Sequence, residues 1–132
     1  TTIKVVQIYN KMKTKKQKSY FFGLMAEYYV IFLFFFKGYK LLKHRYKTKF
    51  GEIDLIFRKN KSIIAVEVKA RKNKNISIGE VVYQKQFYRI MNSLKIFLNK
   101  NEMYSNFDVM IDVVLIKNIF KVKHIKNTWV ER

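Results

Sequence analysis

Two neighbouring segments of the chain, residues 51–58 and 63–71, alternate between apolar and polar residues. The apolar positions are Ile53, Leu55 and Phe57 in the first segment and Ile64, Val66 and Val68 in the second. Alternation with a period of two is typical of strands that bury one face. The turn between the segments is short enough for an antiparallel hairpin, and its Asn60 tolerates a left-handed backbone. The pattern therefore predicts a β-hairpin.

The rest of the chain predicts two helices and three further strands around this hairpin. The predicted helices cover residues 20–38 and 79–99, and the predicted strands cover residues 39–46, 106–116 and 120–129. The second helix has apolar residues at helical spacing. The first is almost wholly apolar, and it ends at Gly38 because glycine is a natural helix stop.

The first of these helices is apolar enough to raise the question of a membrane span. Its uncharged run ends at Lys37, short of the roughly 20 apolar residues that a span needs. Glu27 lies within the longer version, at a cost of roughly 2.5–3.5 kcal/mol inside a bilayer. We therefore expect no stable membrane insertion. On a buried helix Glu27 shares a face with Ile31 and Phe34, so its carboxylate points toward the sheet.

The hairpin carries ionisable residues where an apolar strand is expected. Glu67 lies between Val66 and Val68, and an unpaired carboxylate is costly to desolvate. Glu67 and Lys69 point to one face of the strand, with Cα atoms roughly 6.5–7 Å apart. If the register places Asp54 beside them, the two carboxylates form a site for a hard cation such as Mg²⁺, and the lysine orients a water there. The alternative is an ion-pair ladder on a solvated face.

The two halves of the hairpin, Gly-Glu-Ile-Asp-Leu-Ile at residues 51–56 and Val-Glu-Val-Lys-Ala-Arg at residues 66–71, resemble the two signatures of the YraN-type family. That family comprises small, uncharacterised bacterial proteins predicted to be endonucleases of the PD-(D/E)XK (restriction-endonuclease-like) superfamily, similar to archaeal Holliday-junction resolvases. An isolated Glu-x-Lys is a weak signal, whereas both signatures at hairpin spacing are a strong one. The resemblance covers roughly residues 20–129. It implies an α/β fold with an αβββαβ core, in which a central mixed sheet is flanked by helices.

The resemblance implies roles for residues beyond the three ionisable ones in the hairpin. It makes Glu27 a third acidic ligand or the partner of a second metal, and it makes the carbonyl of Val68 a supplement to Asp54 and Glu67. Glu52 has the strand parity of Asp54 and belongs to the family-like motif, so we expect it to support the metal from outside the ligand set. The alternative for Glu27 is a helix-surface glutamate paired with a lysine.

Basic and amide side chains around the hairpin are the predicted nucleic-acid contacts. The basic set is Lys85, Arg71, Arg89, Arg45, Lys47 and Lys49, and the supporting amides are Gln84 and Gln86. Such lysines and arginines bind phosphates without reading the base sequence. By resemblance Lys85 leads this set on the second helix, where a solvated helix face is the alternative. His44 has no carboxylate near it in sequence to orient it as a base.

Composition indicates one folded domain with a polyanionic partner. The 132 residues include 28 Lys and Arg against 9 Asp and Glu, a formal net charge of +19. Nucleic acid or an anionic membrane surface would neutralise that charge. The chain has no cysteine, which excludes a disulfide framework and thiolate zinc sites, and a cytoplasmic location is the default. We expect a basic N-terminal arm or solvated tail at residues 1–19 and a single nuclease-like domain at residues 20–132.

These observations lead to two main functional hypotheses. The first is a nuclease dependent on Mg²⁺ or Mn²⁺ that cuts DNA, with Asp54, Glu67 and Lys69 as catalytic residues. The resemblance adds Glu27 to the catalytic set, and it implies branched DNA as a substrate and a homodimer as the assembly. The second is a basic nucleic-acid-binding protein without turnover, which the charge supports equally well. A peripheral membrane protein that uses residues 20–36 is the third candidate.

Overall fold

The computed structural model describes residues 2–11, 14–70 and 84–131. Within them the helices are α1 (Thr2–Lys11), α2 (Lys15–Phe36) and α3 (Gln84–Lys100), followed by a 3₁₀ turn at Glu102–Tyr104. The strands are β1 (Lys40–Thr48), β2 (Gly51–Lys59), β3 (Ser62–Ala70), β4 (Asp108–Asn118) and β5 (Lys121–Glu131). The elements from α2 to β4 follow the αβββαβ order that the resemblance implied.

The five strands form one mixed sheet in the order β1-β2-β3-β4-β5. Neighbouring strands are antiparallel except β3 and β4, which are parallel. A parallel pair needs a long connection, and α3 lies within it in the sequence. The predicted α/β fold, with a mixed sheet between helices, is confirmed.

Helix α2 starts earlier than its apolar pattern indicates. The backbone N–H of Gln17 donates to the hydroxyl of Thr14, and the backbone N–H of Thr14 donates to the side chain of Gln17. This capping box begins the helix at Lys15. The helix ends before Gly38, whose φ of +88° suits glycine. The described residues before Tyr20 are therefore largely helical, where we expected a basic arm or tail.

Hydrophobic cores lie on both faces of the sheet. The core under α2 contains Val30, Phe34, Leu55, Phe57, Val66 and Val114. The core under α3 contains Ile56, Ala65, Leu94, Phe97 and Ile111. Because side chains alternate along a strand, Ala65 and Glu67 of β3 share a face. Glu67 therefore points to the α3 side of the sheet.

Strands β2 and β3 pair for only part of their length. Their ladder runs for five residue pairs, from Lys59 opposite Ser62 to Leu55 opposite Val66. Beyond it, β2 stays paired with β1 and β3 stays paired with β4. The two strands thus separate into a fork, by which we mean the opening between residues 51–54 of β2 and residues 67–70 of β3.

The remaining predicted elements agree with the structure in type and differ at their ends. Asn60 takes the left-handed backbone, with φ of +53°. The final strand is longer than expected, because β5 pairs with β4 as far as Glu131. Residues 79–83 of the second predicted helix lie outside the described residues. Among the described residues, α2 is the one helix long and apolar enough, by composition, to cross a membrane.

Candidate metal centre

Asp54 and Glu67 meet at the fork between β2 and β3. They are the first residues of the two strands beyond the ladder, whose last pair joins Leu55 and Val66. The backbone N–H of Val68 donates to Oδ2 of Asp54 at 2.9 Å. The carboxyl group of Asp54 also lies close enough to that of Glu67 to raise its pKa. The register on which the predicted site depends therefore brings the two acids into contact.

Glu67 is buried beside one carboxyl group and one amide. Gln86 on α3 donates from Nε2 to Oε2 of Glu67 at 2.9 Å. Burial, followed by the hydrogen bond and the charge of Asp54, raises the pKa of Glu67 to about 9, against the opposing effects of Lys69 and Gln86. Two carboxylates this close, in a site shielded from water, resist ionising together. At neutral pH, in the absence of a cation, the pair of acids therefore holds a proton.

The donor set fits a hard divalent cation. The N–H and C=O of an extended residue point the same way, so the carbonyl of Val68 faces the fork along with its N–H. Mg²⁺ prefers oxygen ligands, and it binds proteins through one or two carboxylates while it keeps water or substrate phosphate oxygens. In the part of the chain that the structure describes, no three His, Asp or Glu residues form a metal site. An ion here would take its other ligands from the backbone, water or substrate.

Lys69 lies at the edge of this pair of acids. It follows Glu67 by two residues and shares its face of β3. Its side chain is half-buried, and its charge lowers the pKa of Glu67, so the ammonium lies within electrostatic reach of the carboxyl group. The structure thus assembles Asp54, Glu67 and Lys69 in one place, while their catalytic roles stay predictions.

Glu27 is buried, but its partners lie on β1. Its Oε1 accepts a hydrogen bond from Nε of Arg45 at 2.9 Å and lies 2.8 Å from Nε2 of His44. Its Oε2 lies 3.3 Å from Nη2 of Arg45, and that guanidinium also donates to the Tyr20 hydroxyl. The hydrogen bond to Glu27 is the main cause that raises the pKa of Arg45 above its usual value. Glu27 therefore belongs to an ion cluster built within the fold.

The backbone of Arg45 explains how two consecutive strand residues reach one carboxylate. Neighbouring residues on a strand normally point to opposite faces. Arg45 has a φ of +56°, in the left-handed region that few non-glycine residues adopt. This turns its side chain to the side of His44. No carboxylate lies near His44 in sequence, but in the fold Glu27 approaches it from α2.

The partners that the structure gives to Glu27 differ from those that the resemblance implies. Both of its carboxylate oxygens contact side chains of β1, Arg45 and His44. It joins no group of three metal-ligating side chains in the described ranges. The physical reason is the positive φ of Arg45, which brings the guanidinium to the carboxylate. Its assignment as a metal ligand or a catalytic residue stays a prediction from the resemblance.

Three of the predicted phosphate contacts lie near the start of β2. Lys47 and Lys49 are exposed at the turn between β1 and β2. Arg89 is exposed on α3, and its Cβ lies beside Gly51. These three side chains are free to approach a polyanion, whereas Arg45 is engaged by Glu27.

Of the other predicted site residues, the structure describes the side chains of Glu52 and Gln86. Glu52 is exposed and lies opposite Lys47 in the β1–β2 ladder. Gln86 contacts Glu67, so an amide of this set reaches the acids. Arg71 and the side chains of Gln84 and Lys85 lie outside the described residues, and their assignments stay predictions.

A buried hydrogen bond between a histidine and an aspartate went unrecognised in the sequence. Nε2 of His124 on β5 lies 2.8 Å from Oδ2 of Asp112 on β4, which is only 2% exposed. The ring of His124 packs against those of Phe34 and Tyr39. Strand parity was the available signal, because Asp112 lies two residues before Val114 and so shares the face of β4 that packs against α2. This pair lies on the opposite side of the sheet from Glu67.

Comparison with known proteins places this arrangement in a family. A family model described as "Uncharacterised protein family UPF0102" matches residues 25–116. The matched range runs from α2 through β4 and includes Asp54, Glu67 and Gln86. The description assigns no activity, so it leaves the chemistry of the fork to be argued from the residues.

Individual relatives extend over most of the chain. A UPF0102 protein of Ehrlichia ruminantium is 34% identical over 110 residues, 83% of this chain and 84% of the relative. One of Bartonella tribocorum is 35% identical over 113 residues, 86% of each protein. One of Fervidobacterium nodosum is 39% identical over 92 residues, 69% of this chain and 68% of the relative. Their names give the family and no activity.

Proposed function

The chain belongs to the UPF0102 family, and from the chemistry of its fork we propose that it is a Mg²⁺-dependent nuclease that hydrolyses phosphodiester bonds of DNA. One observation carries the proposal. The carboxyl groups of Asp54 and Glu67 meet where β2 and β3 separate, with the Val68 carbonyl facing the same opening. Two acids in contact repel phosphate unless a cation lies between them.

Each residue at the fork has a distinct task in this proposal. Asp54, Glu67 and the carbonyl of Val68 hold the cation, and Gln86 fixes the orientation of the Glu67 carboxylate. A bound Mg²⁺ supplies Lewis acidity toward the phosphate and lowers the pKa of water. Lys69 positions the attacking water. In the reaction, the water oxygen would form a bond to phosphorus as it loses a proton to solvent, and the bond to the leaving oxygen would break as that oxygen takes up a proton from solvent.

The substrate is proposed from charge and from the resemblance. A formal net charge of +19 favours a polyanion, and exposed Lys47, Lys49 and Arg89 lie near the start of β2. Contacts of this kind position the DNA backbone without reading sequence. Branched DNA as the preferred form, action as a homodimer and a cytoplasmic location extend the proposal by analogy with resolvase-like nucleases.

A cleavage assay tests the proposal. Labelled duplex, single-stranded and branched DNA, together with RNA of the same sequence, are incubated with the protein in Mg²⁺, in Mn²⁺ or in chelator. We expect cation-dependent cutting that falls at least about 1,000-fold in Asp54→Asn and Glu67→Gln, because the cation stabilises the transition state by several kcal/mol. Lys69→Ala should also abolish cutting, and DNA binding should be largely kept.

The matched control is Glu102→Gln, which makes the same chemical change at an exposed residue of the 3₁₀ turn. It should cut like the wild type. Equal cutting by the wild type and all three fork variants would identify a contaminating nuclease and refute the site.

A second candidate function is nucleic-acid binding without turnover. It is favoured by the absence, within residues 14–70 and 84–131, of a third acidic or histidine ligand beside Asp54 and Glu67. The same assay separates the two candidates. A binding protein would show salt-dependent affinity for DNA in chelator, no cation-dependent cutting, and no loss of affinity in Glu67→Gln.

A further inference from the structure

Between Ser19 and Phe36, the outward face of α2 is aromatic and carries no charge. Its exposed side chains are Tyr28, Phe32, Phe35 and Phe36, each at least half exposed. Between residues 19 and 36 the one charged residue is Glu27, and it points inward. A surface helix normally has the reverse arrangement, with apolar residues inward and charges outward. An exposed apolar patch of this kind marks an interaction surface.

The apolar surface continues on both sides of the helix. The Tyr29 hydroxyl donates to the carbonyl of Ile119 at 2.7 Å, which holds the tip of the β4–β5 hairpin beside α2. Ile119 and Phe120, at that tip, are 63% and 88% exposed. On the other side, a groove of about 290 Å³ lies between Phe35 and Leu41 of β1. We call this combined surface of α2, the hairpin tip and Leu41 the aromatic face.

Lysines surround the aromatic face. Lys37 follows α2, Lys40 lines the groove beside Phe35, and Lys121 follows the hairpin tip; all three are exposed. An apolar centre with a cationic border is complementary to a surface that is apolar inside and anionic at its boundary. A bilayer that contains anionic lipid has this chemistry. We propose that the aromatic face docks the protein on anionic membranes.

Charge makes a second copy of the chain a poor occupant. A second copy seated on this face would bring its own Lys37, Lys40 and Lys121 against the same lysines of the first, so the homodimer proposed above would form through another surface. Nucleic acid fits poorly as well, because stacked bases need open ring faces in a basic groove. Phe36 instead meets Phe32 and Phe35 edge to face, at interplanar angles of 72° and 84°. Such rings insert among acyl chains more readily than between bases.

The fold indicates that α2 lies on the membrane and does not cross it. Its inward face, which includes Val30 and Phe34, forms the core against the sheet. Crossing would remove those residues from the core, and it would separate Glu27 from His44 and Arg45. Docking through the outward face requires neither change. The fork lies on the α3 side of the sheet, so it stays open to solvent while the aromatic face is bound.

Vesicle flotation with the full chain tests the proposal. The probes are vesicles of phosphatidylcholine alone and of phosphatidylcholine with about one third phosphatidylglycerol, an anionic lipid. We expect binding to the anionic vesicles only. The double variant Phe32→Ser with Phe36→Ser should bind at least about tenfold more weakly, because partitioning scales with the buried apolar area. Lys37→Glu with Lys40→Glu should lose binding to a similar extent.

Met103→Ser is the matched control, because Met103 is 72% exposed in the 3₁₀ turn, outside the aromatic face. It should bind vesicles like the wild type. The proposal is overturned if the wild type does not float with anionic vesicles, or if the Phe32 and Phe36 double variant binds them equally well. It is also overturned if that double variant dissociates a dimer or weakens DNA binding while vesicle binding is unchanged.

A fluorescent variant keeps the test decisive if the double serine variant fails to fold. Phe36→Trp, made together with Trp129→Phe because the chain already contains one tryptophan, keeps an aromatic side chain at an exposed position and places the sole indole probe on the aromatic face. We expect its emission to shift to shorter wavelength on anionic vesicles and to be quenched by lipids brominated in their acyl chains. Emission that stays at the wavelength of a solvated indole in the presence of these vesicles would contradict docking through this surface.

Discussion

Two glutamates of this chain are equally buried, and their partners carry opposite charge. Glu27 and Glu67 are each 7% exposed. Glu27 contacts the guanidinium of Arg45 and the ring of His44. Glu67 contacts a second carboxyl group, that of Asp54, and the neutral amide of Gln86. The fold gives the first glutamate a cationic contact and the second a carboxyl contact, with Lys69 at the edge of the site.

The difference shows that burial alone does not identify a functional acid. A buried carboxylate with cationic partners is stabilised in its charged form, whereas one beside a second carboxylate is destabilised in that form. The second arrangement lowers the stability of the folded state unless a proton or a metal ion is bound. We infer that Glu67 is positioned to bind a ligand, whereas Glu27 is positioned to stabilise the fold.

The largest expected difference between the two glutamates is in catalysis. Glu67→Gln should lower the single-turnover rate of DNA cleavage in Mg²⁺ at least about 1,000-fold, because it removes a carboxylate from the cation. Glu27→Gln, measured where the variant is folded, should stay within about fivefold of the wild type. A loss in folded Glu27→Gln as large as that in Glu67→Gln would instead support the metal-ligand role that the resemblance implies.

The next difference is in the response of stability to pH. The pKa of Glu67 is raised from 4.5 to about 9 in the fold. Between these values the native state binds more protons than the unfolded state, so the contribution of Glu67 is full below about pH 4.5 and is lost as pH rises toward 9. Without divalent cations we expect the free energy of unfolding to fall by several kcal/mol, at most about 6, over this window, because each pKa unit corresponds to about 1.4 kcal/mol.

Urea unfolding at pH 5, 7 and 9 measures this slope, and Glu67→Gln is the control because it cannot ionise. The variant should gain stability relative to the wild type as pH rises. Mg²⁺ should stabilise the wild type, and it should do so more at high pH because cation binding displaces the proton. Parallel pH profiles for the wild type and Glu67→Gln would show that Glu67 carries no such shift.

The same substitution at Glu27 should act on stability in the opposite direction. Glu27→Gln leaves Arg45 and His44 without a carboxylate, at side-chain exposures of 26% and 21%. Breaking a fully buried pair costs more, and partial exposure reduces the loss, so we expect about 2 kcal/mol of destabilisation at pH 7. Chemical unfolding measures it. Stability equal to the wild type would mean that the cluster contributes nothing to the fold.

The sequence predicted the fold well because its signals are local. Alternation in the hairpin and helical spacing in α3 each identify an element without knowledge of its neighbours. The start of α2 was missed because the capping box of Thr14 and Gln17 lies among lysines, outside the apolar run. The length of β5 was missed because pairing with β4, rather than its own pattern, determines where it ends.

The candidate site was predicted only where its residues are close in sequence. Asp54, Glu67 and Lys69 belong to one hairpin, so strand parity sufficed to group them. The contact of Gln86 with Glu67 depends on how α3 packs against the sheet, and the contact of Arg45 with Glu27 depends on a positive φ. Neither follows from spacing. Non-local packing therefore decided which of the predicted polar residues reached the acids.

The smallest expected effect concerns Gln86, the amide that contacts Glu67 and has no counterpart among the contacts of Glu27 in the described part of the chain. Its hydrogen bond favours the ionised form of Glu67 and so lowers that pKa. Gln86→Leu removes this donor, and the carboxylate should then bind Mg²⁺ about tenfold more weakly at pH 8, the lower end of the range for residues that support metal ligands. Titration calorimetry with Mg²⁺ or Mn²⁺ gives the affinity.

The control is Asn99→Leu, which replaces an amide by leucine at an exposed residue near the end of α3 and should leave the Mg²⁺ affinity unaltered. Equal affinities in Gln86→Leu and the wild type would mean that the fork orients Glu67 without help from α3.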